Sequence, residues 1–278
     1  SNEIIELTLR TFLQPQDEVI LPAPSFLVYT LAVQAMGGKT ITVPLSGHTI
    51  DLDQTAGAVT SKTRMIFINN PNNPTGTVIR KADFDSFLKA VPPHTVIVLD
   101  EAYIEFAATG DTPKGFDYIH QSGPHVIVAR TFSKAYGLAG LRIGYGAMEP
   151  AVADPMHRVR QPFNTSTLAQ VAALAALDDE EFLHETRRVV AEGLAFLRGE
   201  INRLGLHYVP TQSNFLLIET PIEARAVSET MLRHGVIIRP MNAYGLPNHI
   251  RVNVGLPEEN KRFIEALSRA LSGLSEAR

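Results

Sequence analysis

The stretch Val96-Ile97-Val98-Leu99-Asp100 sets the fold class, because a run of successive apolar residues ends in a carboxylate. An earlier stretch, Met65-Ile66-Phe67-Ile68-Asn69, has the same form and ends in an amide. Strands that are apolar on both faces are typical of the centre of a parallel sheet that helices cover on each side. Shorter β-rich runs lie at residues 18–21, 40–43 and 126–129. Helical patterns separate these runs, so the sequence predicts an α/β fold with a largely parallel sheet.

The polar residues that follow these strands are expected to form one crevice. In open α/β sheets, ligands bind beyond the carboxyl ends of the strands. Polar segments follow the predicted strands at residues 69–77, 100–103 and 130–134. We therefore expect these segments to converge and to carry the functional groups of the protein.

The second half of the chain has a different pattern. An alanine-rich helix is predicted at residues 168–177, and a longer amphipathic helix rich in Glu and Arg at residues 180–204. Beyond them the sequence predicts strands at residues 214–219, 236–239 and 250–254 and helices at residues 226–234 and 258–271. This change indicates a large domain at residues 1–178 and a small C-terminal α+β domain at residues 179–278.

The composition argues against several classes of function. The 278 residues carry a formal net charge of -4, which gives no general attraction to nucleic acid or to an anionic membrane surface. The absence of cysteine excludes disulfides, thiolate zinc sites and cysteine nucleophiles. The histidines show no spacing typical of metal ligands, and no apolar stretch reaches the roughly 20 residues of a membrane helix. We expect a soluble, cytoplasmic protein with no catalytic metal and no nucleic-acid or membrane partner.

Four segments, most of them at predicted strand ends, supply complementary chemical groups. They are Asn70-Pro71-Asn72-Asn73-Pro74-Thr75-Gly76, Asp100-Glu101-Ala102-Tyr103-Ile104-Glu105-Phe106, Arg130-Thr131-Phe132-Ser133-Lys134-Ala135-Tyr136-Gly137-Leu138-Ala139-Gly140-Leu141-Arg142 and Ile250-Arg251-Val252-Asn253-Val254-Gly255. In order and spacing they resemble the aspartate-aminotransferase-like, fold-type I family of pyridoxal-phosphate enzymes, over nearly the whole chain. The resemblance implies pyridoxal 5'-phosphate as cofactor and transamination as the reaction.

The resemblance assigns Lys134 as the residue that holds the cofactor as a Schiff base. A lysine amine can condense with the cofactor aldehyde, give way to the substrate amine, and then move a proton between substrate carbon and cofactor as a general base. A lone lysine after a strand is more often a surface residue. The flanking segment, residues 130–142, is what favours the catalytic role here.

The resemblance also implies how the cofactor ring is held. Asp100 pairs with the pyridine nitrogen and keeps it protonated, so that the ring accepts electrons from the substrate. Tyr103 and Asn73 hydrogen-bond the phenolic oxygen of the cofactor, and Phe26 stacks on the ring face. Taken singly, these residue types are common as helix caps, turn residues and packing residues.

The cofactor phosphate needs hydrogen-bond donors and positive charge. Ser133 and Arg142 match the hydroxyl and guanidinium groups of the family, and Thr131 adds another hydroxyl. Ser1 and Asn2 resemble the stretch whose backbone amides bind the phosphate at a helix N-terminus. Because Ser1 opens directly onto a helical pattern, we expect the chain to lack the N-terminal segment of the family.

Several stretches look most like the histidinol-phosphate aminotransferase branch of this family. They are residues 100–106, Gln161-Pro162-Phe163-Asn164, Ser213-Asn214-Phe215 and Val236-Ile237-Ile238-Arg239-Pro240. In that branch two arginines, matched here by Arg239 and Arg251, face the substrate, and we expect them to be paired across adjacent strands. The resemblance implies amino transfer between histidinol phosphate as amino donor and 2-oxoglutarate as 2-oxo acid acceptor. It also implies a homodimer, because family sites of this type are completed by a second subunit.

Three alternatives remain open from the sequence. An aromatic amino-acid aminotransferase would need only a carboxylate-binding role at Arg251. A threonine-phosphate decarboxylase would use the same lysine and phosphate-binding groups to release carbon dioxide. A non-enzymatic aminotransferase-like domain of a transcription regulator would need a DNA-binding module ahead of this chain.

Overall fold

A computed structural model describes residues 1–107 and 110–276 of the chain. Its larger sheet consists of β1 (Glu18–Ala23), β2 (Lys39–Pro44), β3 (Thr63–Asn69), β4 (Val96–Asp100), β5 (His125–Thr131) and β6 (Gly144–Ala147). Their spatial order is β2-β1-β3-β4-β5-β6. All neighbouring pairs are parallel except β5 and β6, which are antiparallel. The predicted α/β fold with a largely parallel sheet is confirmed.

Helices cover both faces of this sheet. They are α1 (Asn2–Phe12), α2 (Val28–Ala35), α3 (Leu52–Gly57), α4 (Lys81–Ala90) and α5 (Pro150–Val159). In β4, Ile97 and Leu99 enter a core that includes residues of α4, whereas Val96 and Val98 enter a second core that includes residues of α1. Because both faces are buried, the strand needs apolar residues at successive positions rather than at alternate ones.

The register of the central strands brings their polar ends together. Asn69 at the end of β3 pairs with Asp100 at the end of β4, and Asp100 pairs in turn with Ala129 of β5. The segments that follow these residues therefore start side by side at one edge of the sheet. This is the edge at which the sequence predicts a crevice.

A second, smaller sheet is antiparallel and has the order β7-β8-β10-β9. Its strands are β7 (Tyr208–Val209), β8 (Phe215–Glu219), β9 (Arg239–Pro240) and β10 (His249–Asn253). The helices of this half are α6 (Thr167–Asp178), α7 (Glu180–Arg203), α8 (Ala224–Arg233) and α9 (Pro257–Glu276). A separate apolar core lies between this sheet and α7, α8 and α9. A domain boundary between residues 178 and 179 stays a prediction, and the break between α6 and α7 falls at that point.

The strand predicted at residues 236–239 is wrong in its extent. Only Arg239 and Pro240 are in strand conformation, because β9 is an edge strand that meets β10 through Ile250 and Arg251 alone. Ile238 is buried in the core, but Ile237 is 85% exposed, so the apolar run does not reflect strand burial. The short strands β6 and β7 were not predicted, since neither has an apolar run long enough to give a strand pattern.

The described residues, 1–107 and 110–276, contain neither a membrane-spanning helix nor a cluster of metal-ligating side chains. No helix there is both long and apolar enough to cross a membrane. In the same ranges, no three His, Cys, Asp or Glu side chains lie together in a way that could hold a metal ion.

Candidate active site

A cavity of about 670 Å³ opens at the carboxyl ends of the central strands, and residues of both sheets line it. Every residue predicted from the sequence as a site residue lines this cavity. They are Ser1, Asn2, Phe26, Asn73, Asp100, Tyr103, Thr131, Ser133, Lys134, Arg142, Arg239 and Arg251. The structure therefore brings together groups that lie up to 250 positions apart in the sequence, while their individual roles stay predictions.

Asp100 is a buried carboxylate at the floor of the cavity. It ends β4 and is 3% exposed. Its Oδ2 accepts a hydrogen bond of 2.6 Å from the Tyr29 hydroxyl, and its Oδ1 accepts one of 3.1 Å from the Ala102 backbone N–H. Burial raises the pKa of Asp100, and the hydrogen bond from Tyr29 opposes that rise most strongly. A cation beside the carboxylate would also oppose this rise in pKa and would form an ion pair with Asp100.

Asn69, the last residue of β3, links the end of that strand to Asp100 of β4 by a side-chain hydrogen bond. Its side-chain Nδ2 donates to the Asp100 backbone carbonyl at 3.1 Å, and its Oδ1 accepts from the Asn73 backbone N–H at 2.8 Å. One amide side chain thus fixes the start of the Asn70–Gly76 turn relative to β4. This arrangement explains why Asn73 faces the cavity rather than solvent.

Gly76 closes the same turn in a conformation that requires glycine. Its φ is +74°, and a Cβ built there would lie 1.9 Å from Oγ1 of Thr211. The Gln212 backbone N–H donates to the Gly76 carbonyl at 2.7 Å. The turn is therefore packed tightly against the loop that leads into β8, which joins the two halves of the cavity.

Lys134 lies close to Tyr103 across the cavity. Its Nζ is 5.3 Å from the centre of the Tyr103 ring. Burial lowers the pKa of Lys134, and the positive charges of Arg251 and Arg142 lower it further. Burial also raises the pKa of Tyr103 to about 12, so its hydroxyl is protonated at neutral pH. The pair thus offers an amine that loses its proton more readily than an ordinary lysine, beside a phenol that keeps its own proton.

Thr131, Ser133 and Arg142 form the polar end of the cavity beside the start of α1. The Ser133 backbone N–H donates to Thr131 Oγ1 at 3.1 Å, and Arg142 Nη1 lies 3.5 Å from Ser133 Oγ. Arg142 has a φ of +53°, a left-handed conformation that costs a non-glycine residue roughly 1–2 kcal/mol. The resulting bend directs the guanidinium back over Ser133, and Ser1, the residue before α1, lines the same region.

Arg251 lies on the opposite wall, on β10. Its Nη1 donates to Asn73 Oδ1, and its guanidinium is 4.9 Å from the centre of the Phe215 ring. Its Nε is buried, and no hydrogen-bond acceptor within the described part of the chain meets it. Arg239 of β9 is directly opposite Arg251 in the strand register and lines the cavity as well. The wall therefore presents two cations, one of them with an unsatisfied donor.

Sequence reasoning missed Tyr29, Tyr244 and Asn164. Tyr29 lies in the apolar helix α2, where an isolated tyrosine gives a packing signal, yet its hydroxyl reaches Asp100. Tyr244 and Asn164 both line the cavity, and Asn164 Nδ2 donates to Glu3 Oε1 at 2.8 Å. Asn164 belongs to a stretch already noted for its resemblance, which was the one signal available for it.

The sequence of the chain is similar to those of known aminotransferases. A family model described as aminotransferase class I and II matches residues 1–267. The histidinol-phosphate aminotransferase of Symbiobacterium thermophilum is 46% identical over 271 residues, which are 98% of this chain and 74% of that protein. Histidinol-phosphate aminotransferase 2 of Pseudomonas aeruginosa is 44% identical over 274 residues, which are 98% of this chain and 73% of that protein.

Solved structures give the same result at the level of the fold. The crystal structure of histidinol-phosphate aminotransferase from Sinorhizobium meliloti in complex with pyridoxal-5'-phosphate matches with a TM-score of 0.91 and 30% identity, over 98% of this chain and 74% of that one. A Thermus thermophilus aspartate aminotransferase mutant matches with a TM-score of 0.85 and 27% identity, over 98% of this chain and 77% of that one. The chain therefore has the fold that these aminotransferases share.

Proposed function

The chain belongs to the class I and II aminotransferase family, and we propose that it is a pyridoxal-phosphate-dependent transaminase acting on histidinol phosphate in histidine biosynthesis. The amino acceptor in this proposal is 2-oxoglutarate. The observation that carries it is the paired arrangement of Arg239 and Arg251 on the wall of the cavity that contains Lys134. The relatives named above favour this reading over an aromatic aminotransferase, a threonine-phosphate decarboxylase or a regulator domain.

The chemistry of the donor set fits pyridoxal phosphate. A phosphate monoester needs hydroxyl donors and a cation, and Thr131, Ser133 and Arg142 stand together at one end of the cavity. A protonated pyridine nitrogen needs a buried acceptor, and Asp100 is one. When bound, pyridoxal phosphate supplies an aldehyde that condenses with amines and a ring that withdraws electrons from the carbon next to the nitrogen.

Lys134 acts in this proposal as the group that moves a proton. Because burial and nearby arginines lower its pKa, the Nζ amine is available as a base at a lower pH than an ordinary lysine. Its amine would take the proton from the substrate carbon that carries the amino group and pass it on within the same half reaction. In the second half it would move a proton in the opposite direction, to the carbon of the acceptor. Lys134 is also the amine that holds the cofactor between turnovers.

Asp100, Tyr103, Asn73 and Phe26 orient the ring in this proposal. Asp100 provides the negative charge for the ring nitrogen. Because Asp100 is buried, little water screens its charge, and its attraction for a protonated ring nitrogen is strong. Tyr103 remains a hydrogen-bond donor, since its pKa is about 12. Asn73 is held by Asn69, and Phe26 lies at the cavity wall where it can cover one ring face.

Arg239 and Arg251 bind the substrate phosphate in this proposal. Two guanidinium groups on facing positions of β9 and β10 suit a dianionic phosphate better than a single carboxylate. Arg251 also has the buried Nε donor without a partner in the described chain. A substrate oxygen at that position would satisfy it and would orient the substrate amine toward Lys134.

We further propose that two copies of the chain form a homodimer in the cytoplasm. Helix α6 exposes Leu168, Val171, Leu174 and Leu177, at three-residue spacing. Exposed apolar residues concentrated on one helix are typical of a surface that another protein covers. A second copy of this chain is the proposed partner, and the absence of cysteine is compatible with a reducing compartment.

A substrate panel tests the function. Purified protein loaded with pyridoxal phosphate is assayed with histidinol phosphate and with phenylalanine, each with 2-oxoglutarate as acceptor. The proposal predicts a much larger kcat/KM for histidinol phosphate. A preference for phenylalanine would contradict the proposed substrate, while leaving the proposed cofactor chemistry intact.

A further inference from the structure

Tyr29 places a hydroxyl group on the buried side of Asp100. Its side chain is 1% exposed, and its hydroxyl donates to Asp100 Oδ2 at 2.6 Å. Tyr29 is not among the residues that line the cavity. It therefore contacts the carboxylate from the side that faces away from the cavity.

The ring of Tyr29 is fixed by aromatic neighbours. It stacks on Phe67 of β3 with ring centres 4.6 Å apart and an angle of 18° between planes. Phe26 meets it edge-on, with centres 5.6 Å apart. Since Phe67 belongs to the central sheet and Phe26 to the cavity wall, the phenol has little freedom to turn its hydroxyl away from Asp100.

Each of the two oxygens of the Asp100 carboxylate accepts one hydrogen bond from the protein. Tyr29 donates to Oδ2, and the Ala102 backbone N–H donates to Oδ1. A carboxylate oxygen can accept two hydrogen bonds, so each oxygen keeps capacity on its open side. Asp100 lines the cavity, and that remaining capacity faces it.

We propose that Tyr29 is a positioning residue that holds the Asp100 carboxylate in one orientation, so that it presents a fixed acceptor to the cofactor ring nitrogen. This inference rests on the proposed function. Burial and the charge of Asp100 both raise the pKa of Tyr29 well above its ordinary value, so the hydroxyl keeps its proton at neutral pH. The bond is thus a charge-assisted O–H to carboxylate contact, which is about twice as strong as a neutral one.

A second tyrosine offers a matched control. Tyr118 is 2% exposed, donates its hydroxyl to Asp85 Oδ1 at 2.6 Å, and meets Phe84 edge-on with ring centres 4.9 Å apart. Neither Tyr118 nor Asp85 lines the cavity. Removing either hydroxyl deletes one hydrogen bond from a buried tyrosine to an aspartate, but the bond to Asp85 is partly exposed and only Tyr29→Phe disturbs Asp100.

The experiment compares the wild type, Tyr29→Phe and Tyr118→Phe by titration with pyridoxal phosphate and by steady-state kinetics. We expect Tyr29→Phe to raise the cofactor Kd about tenfold or more and to lower kcat, because a buried hydrogen bond to a charged group is lost. The KM for histidinol phosphate should change by less than about twofold, because Tyr29 contacts no substrate. Tyr118→Phe should leave all three constants unchanged, although both variants should lose some stability to urea.

A double-mutant cycle separates action through Asp100 from a general loss of structure. In an Asp100→Ala background, the further change Tyr29→Phe should alter the cofactor Kd by less than about twofold. Equal effects of Tyr29→Phe with and without Asp100 would overturn the inference, as would an unchanged cofactor Kd in Tyr29→Phe. If the wild type itself binds no pyridoxal phosphate, the proposed function fails and this inference fails with it.

Discussion

Arg239 and Arg251 stand opposite each other on the antiparallel strands β9 and β10, and both line the cavity that contains Lys134. A largely desolvated bidentate contact between arginine and phosphate is worth roughly 2–4 kcal/mol. Arg251→Ala should therefore lower kcat/KM for histidinol phosphate by about two orders of magnitude or more. Arg239→Ala should act in the same direction but more weakly, because Arg239 is exposed.

The control for this prediction is the substrate rather than another variant. A phosphate-free aromatic amino acid needs one cation for its carboxylate and little from Arg239. Steady-state kinetics on both substrates should show that Arg239→Ala affects the phosphorylated substrate selectively. Equal losses on the two substrates would contradict a phosphate-binding role for Arg239.

Asp100→Asn should preserve the fold, weaken cofactor binding at least as much as Tyr29→Phe does, and reduce kcat sharply. A neutral amide cannot hold the ring nitrogen in its charged form, so the ring would withdraw electrons poorly. Asp85→Asn is the matched control, since Asp85 also accepts a tyrosine hydroxyl at 2.6 Å but lies away from the cavity. Near-normal turnover by Asp100→Asn would count against the role assigned to Asp100.

Much of this site could be predicted because its residues lie in local sequence patterns. Lys134 and Asp100 each follow an apolar strand, and strands of a parallel sheet end at one edge, so the chain order alone brings them together. Tyr29 could not be found in this way. Its role depends on which way its hydroxyl points, and that direction is set by its packing on Phe67 rather than by any spacing in the sequence.

The small sheet shows a similar limit. The apolar run before Arg239 is a pattern typical of a strand. In the structure, however, Ile237 faces solvent and the strand is only two residues long. The strand pairing that places Arg239 beside Arg251 forms across eleven intervening residues that include a left-handed Gly245. Periodicity does not encode pairing of that kind.

The pH behaviour of Lys134 should depend on Arg251. The positive charge of Arg251 lowers the pKa of Lys134 in the protein without cofactor. Arg251→Gln removes that repulsion, so the pKa of Lys134 should rise and less of its free amine should be present at a given pH. The pKa can be followed by NMR of ¹³C-dimethylated lysines, with Lys134→Arg to identify the signal.

Arg262→Gln serves as the control for that titration. Arg262 is an exposed arginine of α9 that does not line the cavity. Its replacement should leave the Lys134 signal in place. An unchanged or lowered pKa of Lys134 in Arg251→Gln would show that the two groups do not interact as the structure indicates.

The exposed apolar residues of α6 should form the contact between two copies of the chain. Leu174 is 67% exposed, and Leu174→Glu would place a charge in that contact, so the variant should dissociate at a higher protein concentration than the wild type. Leu232→Glu, at a residue of α8 that is 58% exposed, is the matched control and should not change the assembly. Sedimentation at several concentrations distinguishes the two, and a monomeric wild type would refute the dimer.

The identity of the lysine that holds pyridoxal phosphate tests the whole account most directly. Borohydride reduction makes the bond between cofactor and lysine permanent, and peptide mapping by mass spectrometry then locates it. We expect the cofactor mass on the peptide that contains Lys134, and we expect that signal to be lost in Lys134→Ala. Cofactor found on a different lysine, or on none, would contradict the assignment of this cavity as the active site.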